Sequence, residues 1–270
     1  MSHRTTHRLA AATMAVAMIF GSVGCSKDKD QGAIKSLADL EGKTIGVQTD
    51  TTGQTYANAN KPKGATIKTF DDTTGLFGAL ESGDIQAVLQ DLPVNAGRVA
   101  EDPSVAVVET FETDEQYGFA VKKDSALKAE LDAALKTVRD DKTYDELYKK
   151  YFPVNGAKAG PGPKASTVKG TKTLKVCSDI PYAPMEMEGK GPRGLEYTGF
   201  DIDLMDAMAA TMDAKLSVLD VGFDGILGNL TSGKCDVVAS SVTITDERAK
   251  EVDFTEPYFD ANQSLLVKVG

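Results

Sequence analysis

The chain of 270 residues contains no Trp, only two His and three Cys, and it carries fewer cations than anions. With 30 Lys+Arg against 40 Asp+Glu, the formal net charge is −10, which argues against a nucleic-acid partner because such proteins present a basic face. No CxxC spacing occurs, and His3 and His7 both lie near the N-terminus, so the sequence predicts no metal site and no cofactor. The composition, 41% hydrophobic and 26% charged, is that of a folded soluble protein.

Residues 1–24 have the pattern of an export signal, with two Arg followed by an apolar run over 9–20. That run is too short to span a bilayer of about 30 Å as a helix. Residues 22–25 resemble a bacterial lipobox in which Ser stands where Leu is usual. The prediction is a signal peptide over 1–24, a lipid on Cys25 and a polar tether over 25–33; the alternative is a cut that leaves no lipid. The protein is expected to be exported, either anchored to the outer face of the cell membrane or periplasmic.

The two remaining cysteines, Cys177 and Cys235, are predicted to be buried thiols. Cys177 lies near the end of one strand-like apolar run and Cys235 at the start of another. An exported protein could oxidise them. If the two strands are parallel neighbours, however, an offset of four residues at ~3.3 Å each separates the cysteines by ~13 Å, which is too far for a disulfide.

Strands alternate with helices in two halves of the chain, over 44–89 and again over 174–240. Such alternation predicts βαβ units and parallel sheets. Two further helices, within 124–152, are followed by a linker rich in Gly and Pro over 153–171. We therefore expect an α/β fold of two Rossmann-like lobes with a ligand cleft between them, and the ligand at the carboxyl ends of the strands.

Short motifs in two blocks carry a resemblance to a known family. In the second half they lie over 179–186 (DIPYAPME), 199–204 (GFDIDL), 222–226, 240–248 and 252–258. In the first half they lie over 37–47, 89–91, 117–121 and 144–152. Together these motifs resemble those of the periplasmic polar-amino-acid solute-binding proteins of ABC importers, which belong to family 3 and have the type II periplasmic binding protein fold.

The two blocks stand in the reverse of the family's order, which implies a circular permutation. Residues 172–270 resemble the family's first lobe and residues 34–116 its second lobe. The hinge strand is assigned to 117–123, the closing helices that pack on the family's first lobe to 124–152, and the linker that joins the family's usual ends to 153–171. The new chain ends are expected to cut the first of two hinge strands, so that a single crossing between the lobes stays covalent.

The resemblance implies a site for the backbone of a free L-amino acid. Arg248, just inside a helix opened by Thr245-Asp246, would clamp the ligand's carboxylate bidentately, and Asp91 at a strand end would bind the ammonium group. Hydroxyl or N–H groups would come from both lobes: Ser241, Thr243, Thr51 and Thr52. The alternatives are a surface position for Arg248 and capping roles for the other residues.

The same resemblance implies a pocket for the ligand's side chain. Asp179 and Glu186 would line it, and Tyr182 and Phe223 would form aromatic walls. Two carboxylates favour a cationic side chain, that of arginine, lysine or ornithine. A carboxylate also accepts a hydrogen bond from a glutamine amide, so a glutamine-binding protein of the same family remains an alternative.

The function that follows is that of an extracytoplasmic solute-binding protein, expected to be a monomer, that closes on its ligand about a hinge and delivers it to the membrane subunits of an ABC importer. No enzyme is expected, although a catalytic relative such as a cyclohexadienyl dehydratase is a further alternative. Acid–base chemistry would then fall to Glu186 or Asp91. Asp201 and Asp203 are predicted to be solvated or capping residues at a helix start.

Overall fold

The computed structural model describes residues 33–153 and 159–269, whose strands form two five-stranded sheets and one small hairpin. Sheet 1 contains β1 (Thr44–Gln48), β2 (Thr66–Phe70), β3 (Ala87–Asp91), β4 (Val105–Tyr117) and β12 (Phe259–Lys268). Sheet 2 contains β5 (Ala120–Lys122), β6 (Lys172–Ser178), β9 (Ala214–Asp220), β10 (Val237–Val238) and β11 (Val252–Phe254). The hairpin pairs β7 (Met187–Glu188) with β8 (Tyr197–Thr198).

Helices pack against both sheets. Those of the sheet 1 lobe are α1 (Thr52–Asn60), α2 (Thr73–Ser82) and α3 (Leu92–Glu101). Those of the sheet 2 lobe are α4 (Leu127–Asp140), α5 (Thr143–Tyr151), α6 (Phe200–Thr211) and α7 (Ile226–Ser232). The expectation of two α/β lobes is confirmed. None of the helices in the described part of the chain is long and apolar enough to cross a membrane.

Local sequence signals explain where the helices begin and end. Asp72 caps α2 by accepting a hydrogen bond from the Gly75 amide at 2.7 Å, and Gly83 ends that helix in the left-handed conformation at φ +85°. Gly233 ends α7 in the same way. A residue without a Cβ adopts this conformation without strain, so glycine suits both helix ends.

The sheets are mixed, which corrects the expectation of parallel sheets. The strand order of sheet 1 is β2-β1-β3-β12-β4, and β12 runs antiparallel to both of its neighbours. The order of sheet 2 is β11-β5-β10-β6-β9, and β5 runs antiparallel to β10 and β11. In each sheet the antiparallel strand is the one that the chain enters after crossing from the other lobe.

The chain crosses between the lobes twice. This corrects the expectation that the chain ends lie within the first of the two hinge strands. One crossing joins Tyr117 of β4 to Ala120 of β5, and the other joins Phe254 of β11 to Phe259 of β12. Because β12 pairs with β3 and β4, its residues belong to the sheet 1 lobe and not to the lobe assigned to 172–270. Both crossings are therefore covalent, and the prediction that one hinge strand is cut is wrong.

Helices α4 and α5 pack on α6 of the sheet 2 lobe. Leu131 and Leu135 of α4 and Leu147 of α5 share one buried cluster with Leu204 of α6. The described end of the linker also contacts this lobe, where the Asp213 carboxylate accepts hydrogen bonds from the amides of residues 169 and 170. The predicted signal peptide, Cys25 and most of the tether lie outside the described residues.

Cys177 and Cys235 form a disulfide, so the prediction of two thiols is wrong. Their Cα atoms are 5.7 Å apart, within the range that a bridge requires. The expected offset assumed that Cys235 begins an extended strand. In the structure β10 begins only at Val237, and Cys235 lies in the irregular segment that follows α7.

Reduction of this disulfide is expected to lower the free energy of unfolding by about 2–4 kcal/mol, because the bridge restricts the unfolded chain. Urea unfolding with and without reductant measures the difference. A Cys177→Ser/Cys235→Ser variant is the control, since its stability should not respond to reductant. Equal stability of the oxidised and reduced wild-type protein would contradict the bridge.

Candidate ligand site between the lobes

A narrow cavity lies between the two lobes. Its free space is no wider than about one water molecule, so a larger ligand enters only when the lobes separate. Ten residues from both lobes line it: Gln48, Thr51, Thr52, Asp91, Asp179, Tyr182, Phe223, Ser240, Thr243 and Arg248. Eight of the ten residues proposed from the sequence are among them, and Glu186 and Ser241 are not.

Asp91 is the last residue of β3 and is buried at the floor of the cavity. Its carboxylate accepts hydrogen bonds from Gln263 Nε2 at 2.5 Å and from the hydroxyl groups of Tyr117 and Tyr182. Burial, and after it the charge of Glu115, raise the pKa of Asp91 to about 6. The donors around this carboxylate are all neutral, so no cation of the described chain compensates its charge directly.

Arg248 connects the two lobes. Its Nη1 donates to the Thr243 carbonyl at 2.9 Å and its Nη2 to the Asp50 carbonyl at 3.0 Å. The guanidinium carbon lies 5.4 Å from the centre of the Phe223 ring. The helix predicted at this point is a single 3-10 turn, Arg248–Lys250, so it offers little helix dipole.

Asp179 follows β6 of sheet 2, so it lies on the wall of the cavity that faces Asp91 and sheet 1. Its Oδ2 accepts from Gln48 Nε2 at 2.6 Å, a bond between the lobes, and its amide donates to Ser240 Oγ at 2.9 Å. Burial raises the pKa of Asp179 to about 6, although the bond from Gln48 opposes the shift.

Glu186 lies behind the cavity wall and is fully buried. Its Oε1 accepts from Ser241 Oγ at 3.0 Å, so the Ser241 side chain also points away from the cavity. Its Oε2 and the facing Oδ1 of Asp201 have no other partner among the described residues, which fits one proton shared by the two groups. Burial and the neighbouring Asp201 raise the pKa of Glu186 well above its usual range.

The structure therefore changes the expected charge of the side-chain pocket. Glu186 lies behind the wall, with a pKa raised well above its usual range, so Asp179 is left as the acid that lines that pocket. This differs from the expectation of two facing carboxylates.

Asp201 and Asp203 are buried, so the interpretation as solvated residues is wrong. Asp201 accepts from the Tyr258 hydroxyl at 2.6 Å, and the Tyr258 ring stacks on Phe119 at 4.1 Å between ring centres. Both aromatic residues lie in the crossings, so Asp201 anchors the hinge. Asp203 pairs with Lys150 Nζ at 2.6 Å and thereby joins α5 to α6.

The three threonines divide into one capping residue and two that face each other. Thr51 Oγ1 accepts from the Gln54 amide and caps α1, as the alternative interpretation held. The hydroxyl groups of Thr52 and Thr243 are 3.4 Å apart, one from each lobe. Both donate to Glu115 Oε2, at 2.7 and 2.8 Å.

Sequence reasoning missed Gln48, Ser240 and Glu115. Gln48 ends the buried strand β1, and the carboxyl ends of strands are where a ligand was expected, so its position was a signal that the motifs did not include. Ser240 adjoins Ser241 in the same motif. Glu115 lies on β4, where half-buried and exposed residues alternate, and no local signal separates it from its neighbours.

Two α/β lobes joined by two crossings, with a polar cavity between them, are consistent with the type II periplasmic binding protein fold. Residues 174–270 match the family model described as bacterial extracellular solute-binding proteins, family 3.

The chain is similar to several amino-acid-binding proteins. A probable histidine-binding protein of Neisseria gonorrhoeae is 39% identical over 100 residues, 37% of this chain and 36% of that protein. The L-arginine-binding protein of Pseudomonas aeruginosa is 33% identical over 104 residues, 38% of this chain and 39% of that protein. A solved structure, "An ancestral arginine-binding protein bound to arginine", shares 44% identity over 32% of this chain and 37% of that one, with a TM-score of 0.29. The chain thus spans little more than a third of the length of the curated relatives it matches.

The shared proton predicts how stability depends on pH. The pKa of Glu186 is raised well above its ordinary value of 4.5 in the folded state, so the stability that this group contributes is present below pH 4.5 and is lost as pH rises above that value. Glu186→Gln, which keeps a donor toward Asp201, should flatten the pH dependence by up to about 1.4 kcal/mol per pH unit.

Urea unfolding at pH 5 and pH 8 measures this effect. Glu188→Gln is the matched control, because Glu188 is exposed two residues away. Parallel pH profiles for the wild type and Glu186→Gln would contradict a proton held on Glu186.

Proposed function

We propose that the protein is an extracytoplasmic solute-binding protein that captures a basic amino acid, arginine, lysine or ornithine, and delivers it to the membrane subunits of an ABC importer. The observation that carries this proposal is the charge of the cavity. Among its lining residues in the described chain, Arg248 is the only cation, whereas Asp91 and Asp179 are acids and Glu115 adjoins them. A ligand with one carboxylate and two cationic groups complements this arrangement.

The ligand's carboxylate belongs on Arg248. Two of its five N–H donors are used by the carbonyl groups of Thr243 and Asp50, which leaves three for a ligand. The ammonium group belongs on Asp91, because the hydroxyl and amide partners of that carboxylate leave its negative charge uncompensated.

The ligand's side chain belongs beside Asp179. This carboxylate is bonded to the amide of Gln48, so an added guanidinium or ammonium would supply the opposite charge. The same bond is the observation that favours glutamine as a second candidate, since a ligand amide would take the place of the Gln48 amide.

Closure of the lobes about the two crossings would couple these contacts. Asp91 and Gln48 belong to the sheet 1 lobe, and Arg248 and Asp179 to the sheet 2 lobe, so a ligand that touches all four stabilises the closed state.

We also infer that the order of the two blocks is a circular permutation of the family's order. The inference rests on the motifs alone, since those over 179–258 resemble the family's first lobe and those over 37–152 its second lobe and closing helices. Lipid anchoring at Cys25 and a monomeric state complete the proposal.

Calorimetric titration of the purified, ligand-stripped protein with the twenty amino acids, ornithine and citrulline tests this function. Arginine, lysine or ornithine is expected to bind at micromolar concentration or below, and Arg248→Ala should weaken binding by roughly 100-fold because it removes charge-assisted bonds. Arg98→Ala is the matched control, since Arg98 lies on α3 outside the cavity and pairs with Glu81 and Asp102 of its own lobe.

Binding of glutamine alone would contradict the cationic pocket and keep the amino-acid site. No binding across the panel would contradict the whole proposal and make a dehydratase assay the next experiment.

Affinity for the basic amino acid should fall as pH falls through about 6. The pKa of Asp91 and that of Asp179 are each about 6, so both carboxyls take up protons below this value and no longer attract a cation. Between pH 7.5 and pH 5, each group should cost about tenfold in affinity. Calorimetry at the two pH values tests this, and Asp179→Asn should retain only the part due to Asp91. An affinity that is constant over this range would contradict the assignment of both acids.

A further inference from the structure

Glu115 places a carboxylate of the protein itself on two hydroxyl groups of the ligand site. Its Oε2 accepts from Thr52 at 2.7 Å and from Thr243 at 2.8 Å, and its Oε1 accepts from Gln263 Nε2 at 2.9 Å. All three donors are neutral, and the two threonines come from opposite lobes.

The backbone holds Glu115 in this place. It lies two residues before Tyr117, where β4 ends at the crossing, and Tyr117 forms an isolated bridge with Thr243. The amide of Ile244 also donates to the Gln116 carbonyl at 2.8 Å. The Glu115 side chain therefore meets Thr243 beside the hinge.

Thr52 and Thr243, which donate to Glu115, line the cavity together with Arg248, where the proposed function places the ligand's carboxylate. Arg248 donates to the Thr243 carbonyl, so its guanidinium lies beside the same segment that Glu115 contacts. A hydroxyl group has a single proton to donate, so Thr52 and Thr243 cannot each serve Glu115 and a ligand carboxylate at once.

We propose that Glu115 is an internal competitor that limits the affinity of the site by binding, through its own carboxylate, the hydroxyl groups that a ligand's carboxylate must take. This inference rests on the proposed function, because it concerns the same site. A ligand must displace Glu115 from both threonines, and the two carboxylates repel each other near Arg248. Glu115 therefore selects against the carboxylate of a ligand and not against its cationic groups.

The test compares arginine with agmatine, which has the same guanidinium side chain and no carboxylate. Glu115→Gln should tighten arginine about tenfold, since it removes the competing charge-assisted acceptor, and should not tighten agmatine. Glu112→Gln is the matched control for the loss of one negative charge, because Glu112 lies on the same strand and bonds to Asn262 outside the cavity. It should leave both affinities unchanged.

Weaker or unchanged arginine binding in Glu115→Gln, in a wild-type protein that binds arginine, would overturn the competitor role and leave the proposed function intact. Equal tightening of agmatine would also overturn it, because the effect would then not concern the carboxylate.

Acetate supplies a readout that does not depend on which amino acid the site prefers. Acetate should shift the Arg248 Nε–H resonance at about tenfold lower concentration in Glu115→Gln than in the wild type. If the same acetate concentration shifted the resonance in both proteins, the inference would be overturned whatever the amino-acid panel shows.

Discussion

Two adjacent backbone crossings hold the two sheets together, and the position of the ligand site depends on them. The amide of Tyr258, in one crossing, donates to the carbonyl of Tyr117 at the start of the other at 2.9 Å. The rings of Tyr258 and Phe119 stack across the pair. Because the crossings are bonded to each other, they form one hinge, and the carboxyl ends of β1 and β3 face the loops that follow β6 and β10 across a single cleft.

A buried acid links this hinge to the cavity wall. Asp201 accepts from the Tyr258 hydroxyl in the crossing and from the Ser241 amide at 2.8 Å, next to the cavity residue Ser240. Its charge is tolerated because Glu186 shares a proton with it and because it lies in the first turn of α6. The carboxyl pair thus belongs to the scaffold behind the site, although one member stands in a motif that resembles a ligand-binding segment.

The α/β class, the alternation of elements and most of the cavity residues could be predicted from the sequence, because they depend on local periodicity and on short motifs. Asp91 and Arg248 both line the cavity, as strand ends and loops after strands should. The antiparallel placement of β12 could not be predicted in the same way, because it depends on pairing with strands more than 140 residues earlier in the chain. The disulfide was missed for a related reason, since the path of the backbone before β10 decides the distance between the two sulfurs.

Outside the Glu186–Asp201 pair, the buried acids of the described residues divide into those that are paired with a cation and those that are not. Asp203 and Asp206 are buried and paired with cations of the chain, Lys150 and Arg193. Asp91 and Asp179 are also buried, yet their hydrogen-bond donors are amides and hydroxyl groups alone. A buried carboxylate without a cation is costly, and the raised pKa values of these two groups express that cost. The scaffold supplies lysine and arginine partners to Asp203 and Asp206 but none to Asp91 and Asp179, and this contrast is part of the support for the proposed cationic ligand.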